Sequence, residues 1–330
     1  MSMTFKPFRI FLTLTALVGL LSPQWWLRSN VIAVTPDTEF ELYYGQGDFT
    51  KHEFKDVLMS IYEEDGQKTW QVQSKEASND NEQIWSFSDL DGSFMAKEGN
   101  RIIFFGDSGR FNPGVEQLNL RGNVRASSSL GYNFNTELLD IEKEKDDVFF
   151  SSTEKVILFD DLGEFRVRAV GFKGDMNTGV VDLLSEVWSK KKEDGKSAEA
   201  IIESDKAKIQ SSLSTIKFYE NLRVSQDKFK IKGDEADFYV NDETNEVESI
   251  RVRGNIFATD GIKTALSDKV DLKLKEDAII FQGSPRIIVG DNEMVGEEIL
   301  ITNNQQNVQV IRGNIKSTSN MLETEDEEKK

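Results

Sequence analysis

The 330-residue sequence contains no cysteine. That removes disulfides, thiolate metal sites, cysteine nucleophiles and a lipidated amino-terminal cysteine. Its one histidine, His52, leaves histidine metal sites and Ser-His-Asp catalysis almost without material. Proline is scarce, at 5, and glycine moderate, at 23, which argues against a disordered or collagen-like chain. Positive charge is in deficit: 40 Lys and Arg face 58 Asp and Glu, a formal net charge of −18. No basic run is dense enough to track a phosphate backbone, so nucleic acid is not an expected partner. No metal, cofactor or catalytic residue is proposed. At ~150 residues per domain the length allows about two domains.

Long apolar runs are missing except at the amino terminus. Lys6 and Arg9 precede a largely uncharged stretch over residues 10–27, closed by Trp25, Trp26 and then Arg28. It has about 18 residues, the lower limit for crossing the ~30 Å hydrocarbon layer. The Trp pair suits an interface and the leading charges favour an N-in orientation. Residues 1–30 are therefore read as an uncleaved single-pass anchor. The competing reading is a cleaved signal peptide with Val31-Ile32-Ala33 as its small-residue site.

After this segment the chain is almost all strand pattern. Short alternating runs such as Trp70-Gln71-Val72, Leu118-Asn119-Leu120, Lys155-Val156-Ile157-Leu158, Ala236-Asp237-Phe238-Tyr239-Val240 and Val270-Asp271-Leu272 are separated by Gly, Asn, Asp and Ser. Alternation makes one face apolar and the other wet, as in antiparallel sheets. The expected class is all-β.

An internal repeat runs through it. Arg-Gly-Asn before a branched aliphatic residue occurs at Arg121-Gly122-Asn123-Val124, Arg253-Gly254-Asn255-Ile256 and, shifted by one position against the preceding apolar alternation, Arg312-Gly313-Asn314-Ile315. Upstream of these lie Gly106-Asp107, Gly233-Asp234 and Gly296-Glu297, with a degenerate copy from Asp205 to Glu220-Asn221. Reuse of one supersecondary unit implies strands stacked in a row over a shared apolar interior. Gly-Asn is read as a bend or bulge that needs positive φ.

Residues 189–198 break the composition: Ser189, Lys190, Lys191 and Lys192 are followed by Glu193 and Asp194, which reads as a linker or exposed loop. Residues 318–330 read as a disordered acidic tail.

Several segments carry a family resemblance: Ile61-Tyr62-Glu63-Glu64-Asp65-Gly66, Trp70-Gln71-Val72, Gly106-Asp107-Ser108-Gly109, Leu118-Asn119-Leu120-Arg121-Gly122-Asn123-Val124 and Asn135-Thr136-Glu137-Leu138-Leu139-Asp140. With the apolar segment in front, residues 37–188 resemble LptC, the membrane-anchored periplasmic component of the lipopolysaccharide transport bridge. Residues 199–317 resemble the LptA (OstA-like) bridge component, through Ile202-Glu203-Ser204-Asp205, Gly233-Asp234-Glu235-Ala236-Asp237-Phe238-Tyr239 and Ile250-Arg251-Val252-Arg253-Gly254-Asn255-Ile256.

The resemblance implies a twisted, open β-jellyroll in two stacked units, with acyl chains of lipopolysaccharide or a related glycolipid in an apolar groove. It implies an inner-membrane, single-pass location with the bulk of the chain periplasmic. The implied partners are an inner-membrane ABC transporter complex and either further LptA-like units or an outer-membrane translocon. Groove candidates are Trp70, Val72, Leu118, Leu120, Val124, Val156 and Leu158 in the first unit, and Phe238, Val240, Ile250, Val252, Ile256, Val270, Leu272 and Ile299 in the second. Val308, Gln309, Val310 and Ile311 are candidate edge-strand contacts for a partner.

Two other classes stand beside this one. An anchored structural or adhesion protein of β repeats would have a closed core and no lipid affinity. A β-solenoid carbohydrate enzyme needs paired carboxylates, and Asp146-Asp147 or Asp160-Asp161 are the available pairs. Adjacent strand residues point to opposite faces, which weakens that reading.

Overall fold

The computed structural model describes residues 52–316, apart from 63–67, 80–83, 97–98, 130–132, 146, 160–164, 192–199, 211–214, 227, 241–246, 274–275, 277 and 303–306. The apolar segment at 10–27, Asp146, Asp160, Asp161 and the acidic tail lie outside the described residues. Among the described residues, no helix is long and apolar enough to cross a membrane.

The chain is an antiparallel meander that adds each strand beside the one before it. Strands β1 (His52–Tyr62), β2 (Lys68–Asn79), β3 (Trp85–Met95), β4 (Arg101–Asn112), β5 (Gln117–Ser128), β6 (Asn133–Glu144), β7 (Asp147–Phe159), β8 (Phe165–Asp175) and β9 (Val180–Lys191) pair in sequence order. The next pass is split into β10 (Ala200–Ser204) and β11 (Lys206–Gln210), both paired with β9 on one side and β12 (Thr215–Gln226) on the other. Then come β13 (Phe229–Val240), β14 (Val247–Thr259) and β15 (Lys263–Lys273). The last passes are split as β16 (Ala278–Gln282) with β17 (Arg286–Val289), β18 (Asn292–Val295) with β19 (Glu298–Thr302), and β20 (Asn307–Ile311) with β21 (Asn314–Lys316). One sheet therefore runs through both units. Residues 189–191, read from the sequence as the start of a linker, are the end of β9, and Ser189 pairs in register with Ile202.

The long strands are interrupted near their middles, where the register slips between Phe105 and Ser108, Arg121 and Val124, Tyr219 and Leu222, and Arg253 and Ile256. The repeated motif sits on this line. Gly122 and Gly254 both have φ +77°, and Asn123 and Asn255 both +46°. Two consecutive left-handed residues turn a strand sharply, a conformation Gly tolerates and Asn adopts more readily than most residues. The acid one strand earlier closes each corner by accepting from the Asn side chain: Asn123 Nδ2 to Asp107 at 2.7 Å, Asn255 Nδ2 to Asp234 at 3.0 Å, and Asn221 Nδ2 to Asp205 at 2.6 Å. The third Arg-Gly-Asn departs from the pattern. There Arg312 carries the positive φ, +46°, and donates to Glu297 at 3.1 Å. Gly313 lies against the Val295 carbonyl and the Val310 side chain, so the corner falls one residue earlier.

The line of corners folds the sheet back on itself. Trp70 pairs with Phe94 and Phe94 with Ile102, while Phe111 lies at the far end of the same strand as Ile102. On a flat sheet that separation would be about 30 Å. The Trp70 and Phe111 rings are instead 5.3 Å apart. Each long strand thus supplies half of its length to one wall and half to the other, with the apolar faces turned inward.

Candidate lipid-binding interior

The interior is built from rows of register-paired side chains that run across the strands. One row follows the second wall: Phe111, Leu118, Ile141, Phe150, Gly174, Val181, Ile209, Ile216, Phe238, Ile250, Leu272, Ile279, Ile301 and Val308, each paired with the next. The other wall carries Phe104, Ala126, Phe134, Leu158, Val167, Ser189, Ile202, Val224, Ile231, Ala258, Ala265, Ile287 and Met294 in the same way. With ~4.8 Å between strands, a row spans on the order of 60 Å. Neither row breaks where the first unit meets the second: Val181 pairs with Ile209, Leu183 with Ala207 and Ser189 with Ile202.

The candidate residues read from the sequence fall on this surface. Trp70, Val72, Leu118, Leu120, Val124, Val156, Leu158, Phe238, Ile250, Val252, Ile256, Val270, Leu272 and Ile299 are all buried in one hydrophobic cluster. Val240 ends β13, and its side chain is outside the described residues. Val308 and Val310 are half-buried against the cluster, whereas Gln309 and Ile311 are exposed. β20 pairs with β19, and among the described residues no strand pairs with its other edge.

The sequence reading missed the rings that hold the walls together in the first unit. Phe134 and Phe150 stack at 5.8 Å and Phe172 meets Phe134 at 5.1 Å, although Phe134 pairs with Leu158 at the opposite end of β7 from Phe150. Phe150 lies flat over Gly174, where any side chain would collide with its ring. Above them, Asn100 Nδ2 donates to the Met176 carbonyl at 2.8 Å, tying the β3–β4 turn to the β8–β9 turn. The bulky rings were visible in the sequence, but a contact between opposite ends of two strands has no local signature.

The outer face of the second unit is polar and paired. Arg251 Nε meets Asp271 at 2.6 Å, Lys269 meets Asp271 at 2.8 Å, and Arg253 reaches Asp237 at 2.7 Å and Glu235 at 3.3 Å. Burial opposes ionisation of Asp271, but hydrogen bonds from Lys269 and Arg251 outweigh it and hold the carboxyl below its usual range. The arginine of the second repeat, Arg253, is engaged within its own wall. Among the described residues no cluster of His, Cys, Asp and Glu could hold a metal ion.

Comparison with known proteins gives two family matches and one similar solved structure. Residues 53–192 match the model of the lipopolysaccharide-assembly, LptC-related family. Residues 201–307 match that of the LptA/(LptD N-terminal domain) LPS transport proteins. No curated protein matches the chain. Among solved structures it is similar to LptH, the LptA-homologous periplasmic component of the lipopolysaccharide transport device of Pseudomonas aeruginosa, with 14% identity over 38% of this chain and 87% of that one and a TM-score of 0.31. The two family matches adjoin at the β9–β10 junction and together take in most of the described sheet: an LptC-related unit is continued by an LptA-type unit in one polypeptide, an LptC/LptA-like lipopolysaccharide transport protein.

Proposed function

We propose that the chain is a section of the periplasmic bridge that carries lipopolysaccharide from the inner to the outer membrane, its acyl chains held between the two apolar walls. The observation that carries this is the unbroken pair of rows across the junction of the units. Each CH₂ kept from water is worth ~0.8 kcal/mol, so a carrier needs a continuous dry surface, whereas a structural repeat does not. The sugar and phosphate head, in this reading, stays outside the walls, in water. In this reading the inward residues from Trp70 to Ile299 are carrier positions and no residue is catalytic. The apolar segment at 10–27 holds the chain in the inner membrane beside the ABC transporter complex. Residues 37–188 and 199–317 act as successive carrier units, and the free edge of β20 receives a strand from the next bridge component or the outer-membrane translocon.

Photo-crosslinking residues at Leu118 and Val252 in intact cells test the reading; adducts with lipopolysaccharide at both positions are expected. Their absence, with the protein folded, would favour the structural-repeat alternative, which the close packing of the interior also fits. The edge is tested by Gln309→Pro and Val310→Pro, because consecutive N–H groups alternate between the β19 side and the free side. One of the two is expected to abolish partner capture while the fold persists, and capture unchanged in both would rule out strand addition at β20.

A further inference from the structure

Two buried side-chain atoms among the described residues have no hydrogen-bond partner, Trp70 Nε1 and Arg101 Nε. Arg101 is half-buried and alternates with inward Ile102, so it lies on the outward side of β4. Trp70 faces the interior and is fully buried. Its neighbours are Phe94 on its own wall, at 4.5 Å between ring centroids, and Phe111 from the opposite wall, at 5.3 Å. Neither offers an oxygen.

Several other buried polar side chains among the described residues are satisfied. Thr136 and Ser152 share a hydrogen bond at 3.1 Å. Ser74 donates to the carbonyls of Glu76 and Ser88, and Ser267 to those of Lys269 and Gln282. Trp70 stands apart from this rule. Phenylalanine would supply an apolar ring without a donor to desolvate, and a buried tryptophan N–H ordinarily finds an acceptor.

We propose that the Trp70 indole N–H is the donor by which the first unit recognises an oxygen acceptor borne by its cargo at the root of an acyl chain, an ester or amide carbonyl or a hydroxyl. The proposal rests on the lipid-carrier reading and adds to it a polar criterion for what the first unit accepts. A hydrocarbon tail has no acceptor to offer. A free phosphate would have to shed its water to enter a dry interior, which is strongly disfavoured. An oxygen carried in by its own acyl chain meets neither obstacle, and it satisfies a donor that the protein's own groups leave unpaired. Trp70 is thereby a specificity-determining residue rather than one more patch of apolar wall.

The test uses the full-length chain with a photo-crosslinking residue at Leu118, the register partner of Phe111, and separately at Val252. Purified lipopolysaccharide is the probe, and hexadecane, which has no acceptor, is the competitor. Trp70 is replaced in two ways. Trp70→Phe removes the N–H and some volume; Trp70→3-benzothienylalanine keeps the bicyclic shape and replaces the N–H by sulfur. Both are expected to weaken lipopolysaccharide capture at position 118 about tenfold, the worth of a buried hydrogen bond. Competition by hexadecane should be unchanged, and the melting temperature of the sulfur variant unchanged or higher.

Undiminished capture by the sulfur variant overturns the proposal, even if Trp70→Phe loses capture, because ring volume would then be responsible. An equal loss of hexadecane competition also overturns it. So does a lower melting temperature with full capture, which would assign the N–H to the face of Phe94. Failure of the parent chain to crosslink at both 118 and 252 would instead remove the carrier reading itself, and this inference with it.

Discussion

The two units use the same corner and fill the space inside it differently. In the first, the interior is aromatic and the rings of opposite walls touch: Trp70 with Phe111, and Phe134 with Phe150 and Phe172. In the second, the rows are mainly Ile, Val, Leu and Ala, and the ring contact among its described residues, Phe218 with Phe238, joins neighbours on one wall. The second unit carries its specific contacts outside instead, in the ion pairs of Arg251, Arg253 and Lys269 with Asp271, Asp237 and Glu235. Aromatic pairs add about 0.5–1.5 kcal/mol beyond the area they bury and fix a geometry. Aliphatic rows are attracted in proportion to area, without direction. Separating the walls of the first unit therefore means breaking specific contacts, whereas separating those of the second exchanges one apolar surface for another. A bridge that receives cargo at one end and passes it along gains from that gradient.

The largest expected effect tests how closed the second unit is. Val252 is buried, with Gly233 packed against it, so Val252→Asp places an unpaired carboxylate in the interior and should cost about 3–5 kcal/mol. Urea denaturation with limited proteolysis should show the second unit unfolding first. A protein that keeps its β signal and its urea midpoint would show that water reaches position 252.

Removing one ring from each unit compares them directly. Phe134→Ala should cost about 4 kcal/mol, because a cavity forms and two contacts between the walls are lost. Phe238→Ala makes a similar cavity but severs one contact within a wall, and should cost about 1 kcal/mol less. Equal losses in urea titrations would show that the rings of the first unit do not join its walls.

The corners should behave alike in both units. Gly122→Ala and Gly254→Ala each place a Cβ at φ +77° and against the carboxylate of Asp107 or Asp234. Each should cost about 2 kcal/mol by thermal or urea unfolding. A cost at one site alone would mean that the repeat is not a common structural device.

The smallest effect concerns the outer face and depends on pH. Asp271 is held below its usual pKa, so its stabilisation is present above about pH 4, the unfolded value. It is lost as the pH falls through the lower folded value. Asp271→Asn should destabilise the protein by about 1 kcal/mol at neutral pH, with the difference from the parent vanishing in strong acid. A difference that persists in strong acid, where Asp271 is protonated in both states, would assign the effect to packing.

Some of these properties were legible in the chain because they are local. Alternation at Leu118-Asn119-Leu120 or Val270-Asp271-Leu272 fixes which side chains share a face, because successive strand residues point to opposite sides. The recurrence of Gly-Asn marked the corners, because few residues accept positive φ. The third copy showed its one-position shift in the alternation, and in the fold the positive φ falls at Arg312, with Gly313 against Val295 on another strand. The linker was begun too early because three lysines look solvated in sequence, yet Lys190 and Lys191 pair with Ile201 and Ala200 and carry the sheet across the junction.

By itself, then, the sequence determined an all-β chain, its inward faces, its repeated corner and the families it resembles. These come from backbone preference and from a side-chain period of two. Only the tertiary structure decided that the corners align into one fold line and that the register-paired rows pass unbroken from one unit to the next. It also decided that Trp70 and Phe111, whose positions along the strands lie far apart, meet with an indole N–H left unpaired between the walls. Those facts depend on which strand end lies above which after the sheet folds over, and no stretch of sequence contains both partners.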